Sequence, residues 1–198
     1  MRKINFKDVF IPVISLFIIC AVMTAALAVT NSVTAGKIAE NEAQSQQESM
    51  TIVCPQAKRF ELLTETEDGC TVYAGTTSED GLSLQNIVGY AISTVANGYG
   101  GQVKVMTGID TNGEIIGIDV YYNDDETPGL GKNTSSESFT SQFSGLSTSE
   151  SIVVDKDYTG KGPKVDAVTS STISSRAVVS AVNKALEIYN TEIVGGEQ

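Results

Sequence analysis

The chain has 198 residues, a formal net charge of −11 and a hydrophobic content of 41%. These values suit one globular domain with an additional segment, and they exclude a chain that is disordered throughout. The acidic balance argues against a nucleic-acid partner, and a sequence without histidine excludes Ser–His–Asp and Cys–His catalytic sets.

A long uncharged segment lies close to the N-terminus. Val9–Thr30 spans 22 residues, which is enough to cross about 30 Å of hydrocarbon as a helix. Arg2, Lys3 and Lys7 precede it, and basic residues favour the cytoplasmic side of a membrane. We therefore predict a cytoplasmic N-terminus at 1–8, a transmembrane helix at 9–30 and an extracytoplasmic remainder. Cleavage as a signal peptide is the alternative, although cleaved segments have a shorter apolar core.

A polar segment separates the predicted span from the rest of the chain. Residues 31–50 are polar and rich in Ala, Glu and Gln, and we predict a juxtamembrane helix or stalk at 31–57 before a domain at 58–198. Short apolar and β-branched runs then predict strands, which lie at 59–63, 70–76 and 87–95.

The clearest pattern in the domain predicts a β-hairpin at Gln102–Tyr122, where two alternating runs flank the turn pair Asn112-Gly113. Phe139 and Phe143 lie four residues apart and predict a short helix. A longer amphipathic helix follows Arg176. Together these patterns predict an α+β fold with a mostly antiparallel sheet and packed helices.

The three cysteines do not form a metal-binding pattern. Cys20 lies in the apolar span, and Cys54 and Cys70 lie after it without CxxC or ferredoxin spacing. The sequence therefore predicts no zinc or iron–sulfur site in this chain alone. In an extracytoplasmic domain Cys54 and Cys70 can either pair or remain thiols, and the sequence leaves both open.

A Gly/Pro loop runs from Glu126 to Gly131. Pro128 fixes one backbone dihedral, and the glycines allow close approach of another group. One interpretation is an ordinary turn. The other is a loop that lies against a flat ring, with Leu130 on its apolar face and Thr127 at its polar edge.

A hydroxyl-rich segment leads into the amphipathic helix. Six of the seven positions from Thr169 to Ser175 are Ser or Thr, and Asp166 precedes them. Such residues favour the N-cap and first turn of a helix, whose unpaired N–H groups attract an anion, most often a phosphate. One interpretation, which the periodicity alone favours, is an ordinary capped helix on a Ser/Thr-rich loop. One hydroxyl would suffice for such a cap, however, and here there are six.

The two segments together resemble the FMN-binding domain family, which occurs in the G subunit of the Rnf complex and the C subunit of the Nqr complex. The segment 126–131 resembles one signature of this family, and 166–174 resembles its flavinylation motif. Gly98–Gly101 is a weaker third match. This chain has Ser170-Ser171 where Gly-Ala is commoner.

The resemblance implies that Thr172 carries FMN through a phosphoester and that other residues of the two motifs form the cofactor site. These are Asp166, Thr169, Ser170, Ser171, Ser174, Glu126, Thr127, Gly129, Leu130 and Gly131. A histidine often precedes the glutamate in this family; this chain has Asp125 there, so a proton-handling role for that histidine does not carry over. Lys161 or Lys164 is a further candidate for stabilising the phosphate.

The resemblance also implies a function. It predicts an electron-transfer subunit with covalent FMN in a membrane Rnf-type ferredoxin:NAD oxidoreductase, with the other subunits and the lipid bilayer as partners. A separate flavin transferase would attach the cofactor. The alternatives are the C subunit of a sodium-translocating NADH:quinone oxidoreductase, another extracytoplasmic flavin protein, and a non-redox membrane-anchored binding module.

Overall fold

The computed structural model describes residues 6–66, 68–78 and 86–195. The chain divides into two compact units, Met1–Gln44 and Ser45–Gln198. One helix, α1, runs from Phe6 to Val53 and so contributes to both units. In the first unit it is long and apolar enough to cross a membrane, and its large hydrophobic side chains from Phe10 to Ile38 are exposed. The predicted span at 9–30 lies within this helix, which continues without a break into the segment predicted to be a stalk.

The second unit is built on a five-stranded antiparallel sheet in which each strand pairs with the next along the chain. The strands are β1 Arg59–Glu65, β2 Thr71–Thr76, β3 Ile87–Asn97, β4 Gln102–Ile109 and β5 Ile115–Tyr122. This sheet confirms the predicted α+β class and the predicted hairpin.

Shorter elements follow the sheet. The α-helices are α2 Glu137–Thr140 and α3 Thr172–Ile188, and a small parallel pair is formed by β6 Val153–Val154 and β7 Lys164–Val165. Short 3₁₀ helices occupy Gly131–Ser135, Ser141–Phe143 and Asp155–Asp157, and a π-helical turn occupies Tyr189–Val194.

Helix α3 covers one face of the sheet. Its apolar face, including Val178 and Val182, packs against Ile92 and Val105 in a fully buried core. The Thr94 hydroxyl in β3 donates a hydrogen bond of 2.9 Å to the Ala181 carbonyl in α3. These contacts fix the middle of α3 against the sheet.

The last turns of α1 cover the opposite face. Met50 and Val53 pack against Ala91 and Met106, and the Ser49 hydroxyl donates a hydrogen bond to the Asp119 carboxylate. Glycines let this helix end lie close to the strands, since a Cβ at Gly108 would lie 2.2 Å from the Val53 carbonyl oxygen. The central strands β3 and β4 are therefore covered on both faces.

The two cysteines of this unit are separate buried thiols. Cys54 Sγ lies beside Gly75 and Gly89 on the α1 face, whereas Cys70 belongs to the core under α3. The structure thus decides against the disulfide that the sequence left open. Burial raises the pKa of the Cys54 thiol, and this disfavours the reactive thiolate.

A side chain closes the β4–β5 hairpin. The Asp110 carboxylate accepts hydrogen bonds from the Asn112 amide at 2.9 Å and the Glu114 amide at 2.8 Å, and Gly113 has a positive φ of 81°. Partial desolvation, the largest single effect, acts to raise the pKa of Asp110, but the hydrogen bonds together lower it. The turn is thus stabilised by the ionised form of this side chain.

Candidate functional site

Two segments that are far apart in sequence meet at one cleft. The Gly/Pro loop follows β5, and the hydroxyl-rich segment enters α3, whose packing on β3 and β4 brings its first turn beside the loop. The cleft has a volume of about 540 Å³. Its lining residues are Tyr99, Glu126, Thr127, Leu130, Gly131, Ser170, Ser171, Thr172, Ile173 and Ser174.

Glu126 connects the segments that form this cleft. Its side chain is only 2% exposed. One carboxylate oxygen, Oε1, accepts hydrogen bonds from the backbone amides of Tyr99 at 2.6 Å and Gly100 at 3.4 Å. The other, Oε2, accepts a hydrogen bond of 2.8 Å from the Ser174 hydroxyl in the first turn of α3. One buried carboxylate therefore holds the β3–β4 turn, the Gly/Pro loop and the helix start together.

Glycines make room for this carboxylate. A Cβ at Gly98 would lie 2.0 Å from Glu126 Oε1, and a Cβ at Gly131 would lie 2.0 Å from Glu126 Oε2. Real Cβ atoms do not approach an oxygen so closely, because protein interiors are already close-packed. The weak Gly98–Gly101 match and the Gly/Pro loop thus belong to one arrangement around Glu126.

The start of α3 is open to an anion. Helix α3 begins at Thr172, and in the described chain the side chain of the preceding Ser171 makes no capping hydrogen bond. Its hydroxyl instead donates to the Ser174 hydroxyl at 3.1 Å. The first N–H groups of a helix have no partner within the helix and attract negative charge. Thr172, which is half-buried and lines the cleft, therefore lies at a helix start where a phosphate would be stabilised.

Exposed apolar side chains surround the same cleft. Tyr99 is 71% exposed, Ile173 is 51% exposed and Leu130 is 41% exposed. Large apolar groups at the mouth of a cleft favour contact with an apolar or aromatic ligand surface. The residues present fit FMN, since they offer apolar contacts for a flat ring beside a hydroxyl at an open helix start.

Three predicted site residues lie outside this cleft. Asp166, Thr169 and Gly129 line a neighbouring cavity of about 900 Å³, which shares Leu130 and Ser170 with the cleft. Ser170 has a positive φ of 59°, a left-handed conformation that glycine adopts more easily. A glycine at this position, where the motif commonly has one, would adopt this conformation without strain.

The basic residues near the motif do not line the cleft. Neither Lys161 nor Lys164 lines the cleft, and Lys164 Nζ lies 5.4 Å from the ring centroid of Tyr158. Arg176, in the second turn of α3, makes two hydrogen bonds of 2.6 Å to Asp157. This hydrogen bonding, with the attraction of the opposite charge, lowers the pKa of Asp157. The lining of the cleft in the described chain thus contains no lysine.

Tyr99 and Ile173 were missing from the predicted site. Tyr99 belongs to the Gly98–Gly101 match, which was the available signal for it. Its position at the cleft, however, depends on the hydrogen bond from its own backbone amide to Glu126, which the sequence does not show. Ile173 stands between two predicted hydroxyl residues, and only the helical geometry shows that it shares their cleft.

Two parts of the chain match known protein families. Residues 98–187 match the FMN-binding domain, and residues 6–53 match the RnfG N-terminal region. The G subunit of the Na(+)-translocating ferredoxin:NAD(+) oxidoreductase complex of Acetobacterium woodii is 37% identical, over 94% of this chain and 94% of its own. The chain belongs to the family of G subunits of ion-translocating oxidoreductase complexes.

Other relatives extend the same comparison. The G subunit of the ion-translocating oxidoreductase complex of Methanosarcina acetivorans is 33% identical, over 94% of this chain and 97% of its own. A crystal structure of the C subunit of the Na(+)-translocating NADH-quinone reductase from Parabacteroides distasonis matches with a TM-score of 0.56 and 19% identity. It covers 76% of this chain and 90% of that chain, and it shows a shared fold.

These findings confirm the resemblance on which the sequence interpretation depended. The chain is an electron-transfer subunit of an ion-translocating oxidoreductase complex and contains an FMN-binding domain. Its long apolar helix is consistent with association with a membrane.

Proposed function

We propose that FMN binds in the cleft and is esterified to Thr172, and that the flavin relays electrons within a membrane Rnf-type complex that transfers electrons from ferredoxin to NAD. The observation that carries this proposal is the meeting of the Gly/Pro loop and the α3 start around buried Glu126. When bound, the flavin supplies the redox chemistry, and the protein supplies binding and orientation.

Each part of the cleft then has a role. The open first turn of α3 stabilises the phosphate, while Leu130, Ile173 and Tyr99 provide apolar contact for the ring. Thr127 and the backbone of the Gly/Pro loop offer polar groups at the ring edge. Glu126 acts as a positioning residue, because it holds the surrounding segments and is itself buried.

Attachment of the cofactor requires a donor and a second protein. The Thr172 oxygen attacks the flavin-side phosphorus of a flavin dinucleotide, so that a new P–O bond forms and the pyrophosphate bond breaks. A nucleoside monophosphate leaves, and the threonine proton passes to a base of the transferase. A sequence without histidine and without a phosphate-binding loop supports assignment of this step to a separate flavin transferase.

The membrane orientation follows from charge. Basic residues precede the apolar part of α1, and most acidic residues follow it, so the N-terminus is cytoplasmic and the flavin domain extracytoplasmic. The protein is then a single-pass protein of the cell membrane. Protease added to intact cells stripped of their wall should digest the domain and leave a cytoplasmic N-terminal tag intact; a protected domain would contradict this orientation.

The relatives favour Rnf over the other flavin systems. The two curated relatives compared above are both G subunits, and each is at least 33% identical over 94% of this chain, whereas the structure of the Nqr C subunit is 19% identical. The Nqr assignment therefore remains the second candidate.

Covalent flavin is directly visible on a denaturing gel. The full chain from a host that has the flavin transferase should fluoresce under ultraviolet light after denaturation. Thr172→Ala should remove the band while costing only about 1 kcal/mol of stability or less, as for a helix-terminal hydroxyl. Ser138→Ala is a control, since Ser138 is an exposed hydroxyl outside the motif. A wild-type band without fluorescence would refute covalent attachment.

A further inference from the structure

The segment before the flavin-acceptor residue has no regular secondary structure, yet its backbone is held by side chains from elsewhere. Three consecutive amides each donate to a side-chain oxygen. The Asp166 amide donates to Gln142 Oε1 at 2.7 Å, the Ala167 amide to Asp155 Oδ1 at 3.0 Å and the Val168 amide to Ser175 Oγ at 3.0 Å.

The three acceptors come from three separate elements. Gln142 lies in the 3₁₀ helix after α2, Asp155 lies just after β6, and Ser175 lies in the first turn of α3. Ser175 also donates to the Ser171 carbonyl at 2.9 Å. The backbone of the segment is therefore fixed on three sides and at its junction with the helix.

The polar side chains of residues 166–170 remain available to bind another molecule. Asp166, Thr169 and Ser170 are exposed, and none of them makes a side-chain hydrogen bond or ion pair within the described chain. Short acidic and hydroxyl side chains in loops usually bind their own nearby backbone, in Asx turns, ST turns and helix caps. Here other elements satisfy that backbone instead.

This division of roles suits a segment that another protein must bind. A substrate loop that already has its bound conformation loses less conformational entropy on binding, and its reacting atom is better placed. We propose that Gln142, Asp155 and Ser175 form a clamp that presents residues 166–172 in a fixed conformation to the enzyme that attaches the flavin. This inference rests on the proposed esterification of Thr172.

Gln142 is the clamp residue best suited to a test. Its amide also donates to the Asp166 carbonyl at 3.3 Å, so its side chain pairs with both backbone groups of Asp166. It is half-buried and lies outside the cleft that holds the ring. Ser175 is fully buried in α3, and replacing it would also disturb the helix start.

The test measures the flavinylation rate of the full-length chain in detergent. The chain is produced without the transferase and then incubated with the transferase and a flavin dinucleotide, and covalent fluorescence is followed over time. Gln142→Met keeps the shape but loses both hydrogen bonds to Asp166, together with a weaker one of 3.4 Å to the Ser138 carbonyl. Gln142→Ala loses the shape as well. Both should lower kcat/KM by about tenfold or more, since small displacements of a reacting group have effects of this size.

Two further variants separate presentation from simple stability. Gln142→Glu can still accept from the Asp166 amide and should recover part of the rate. Ser138 lines the neighbouring cavity together with Gln142, but its side chain bonds to Ser136 and not to residues 166–168 within the described chain. The Ser138→Ala variant should therefore react like the wild type. Amide hydrogen exchange at residues 166–168 should be faster in Gln142→Met, while the thermal midpoint stays within about 3 °C of the wild type.

The outcomes distinguish this inference from the proposed function. Wild-type kcat/KM in both Gln142→Met and Gln142→Ala would overturn the clamp and leave flavinylation of Thr172 intact. Amides at 166–168 that exchange as fast in the wild type as in Gln142→Met would also overturn it. A wild-type chain that takes up no covalent flavin would overturn both proposals.

Discussion

Glu126 is a buried carboxylate whose hydrogen-bond donors are two amides and one hydroxyl, with no cation bound to it in the described chain. Glu126→Ala would leave these donors unpaired and create a cavity, so we expect a loss of about 2–4 kcal/mol in the free energy of unfolding. Glu126→Gln keeps the shape and one acceptor and should cost clearly less. Chemical unfolding of both variants measures the difference, and equal losses would show that volume alone matters.

Ser170 gives a second prediction at the scale of one residue. Its φ of 59° is unfavourable for a residue with a Cβ, and most unfavourable for a β-branched one. Ser170→Gly should therefore be neutral or stabilising, whereas Ser170→Val should destabilise the domain by about 1–2 kcal/mol. Thermal unfolding of the two variants tests this order. A valine variant as stable as the glycine variant would show that the segment relaxes out of the left-handed conformation.

At the scale of secondary-structure elements, substitutions at two paired glycines test how closely α1 packs on the sheet. Gly108 in β4 pairs with Gly117 in β5, but a Cβ at Gly108 would meet the Val53 carbonyl, whereas a Cβ at Gly117 would meet no atom within 4 Å. Gly108→Ala should destabilise the domain by about 1–3 kcal/mol through overpacking. Gly117→Ala, the matched control, should stay within about 0.5 kcal/mol of the wild type. A harmless Gly108→Ala would mean that the end of α1 does not pack closely on the sheet.

The β4–β5 hairpin should show a pH dependence through Asp110. Hydrogen bonds from Glu114 and Asn112 overcome desolvation and lower its folded-state pKa below the unfolded value. Its stabilisation is therefore fully present above the unfolded pKa and is lost as the pH falls through the folded pKa. The stability advantage of the wild type over Asp110→Asn should be largest near neutral pH and shrink in acid. Unfolding curves measured across this range check the sign, and a constant difference would contradict it.

At the scale of the whole molecule, local patterns predicted the elements better than their packing. The alternation around Asn112-Gly113 predicted the hairpin because both strands and their turn are encoded within one short stretch. The end of α1 was predicted as a stalk, and its packing on the sheet was missed. Met50 and Val53 lie in a short apolar run directly after a polar stretch, and Gly108, which makes room for Val53, lies in a distant strand.

For the candidate site too, the sequence predicted the residues better than their arrangement. Motif resemblance supplied Thr172, Glu126 and the loop between Glu126 and Gly131, but not the reason why glutamate is needed there. That reason is three-dimensional, because the Glu126 carboxylate binds amides and a hydroxyl from two other segments. Asp166 was assigned to the same cofactor site, yet it lines the neighbouring cavity, since the chain bends at residues 168–171 before the helix begins.

Peptide mass spectrometry of the native protein tests the central claim most directly. Trypsin cleavage after Lys164 and Arg176 releases one peptide that contains every candidate hydroxyl from Thr169 to Ser175. We predict that this peptide carries the added mass of one FMN phosphoester, and that fragmentation places it on Thr172. An unmodified peptide, or a flavin on Thr169, Ser170, Ser171, Ser174 or Ser175, would contradict the assignment of Thr172 as the acceptor.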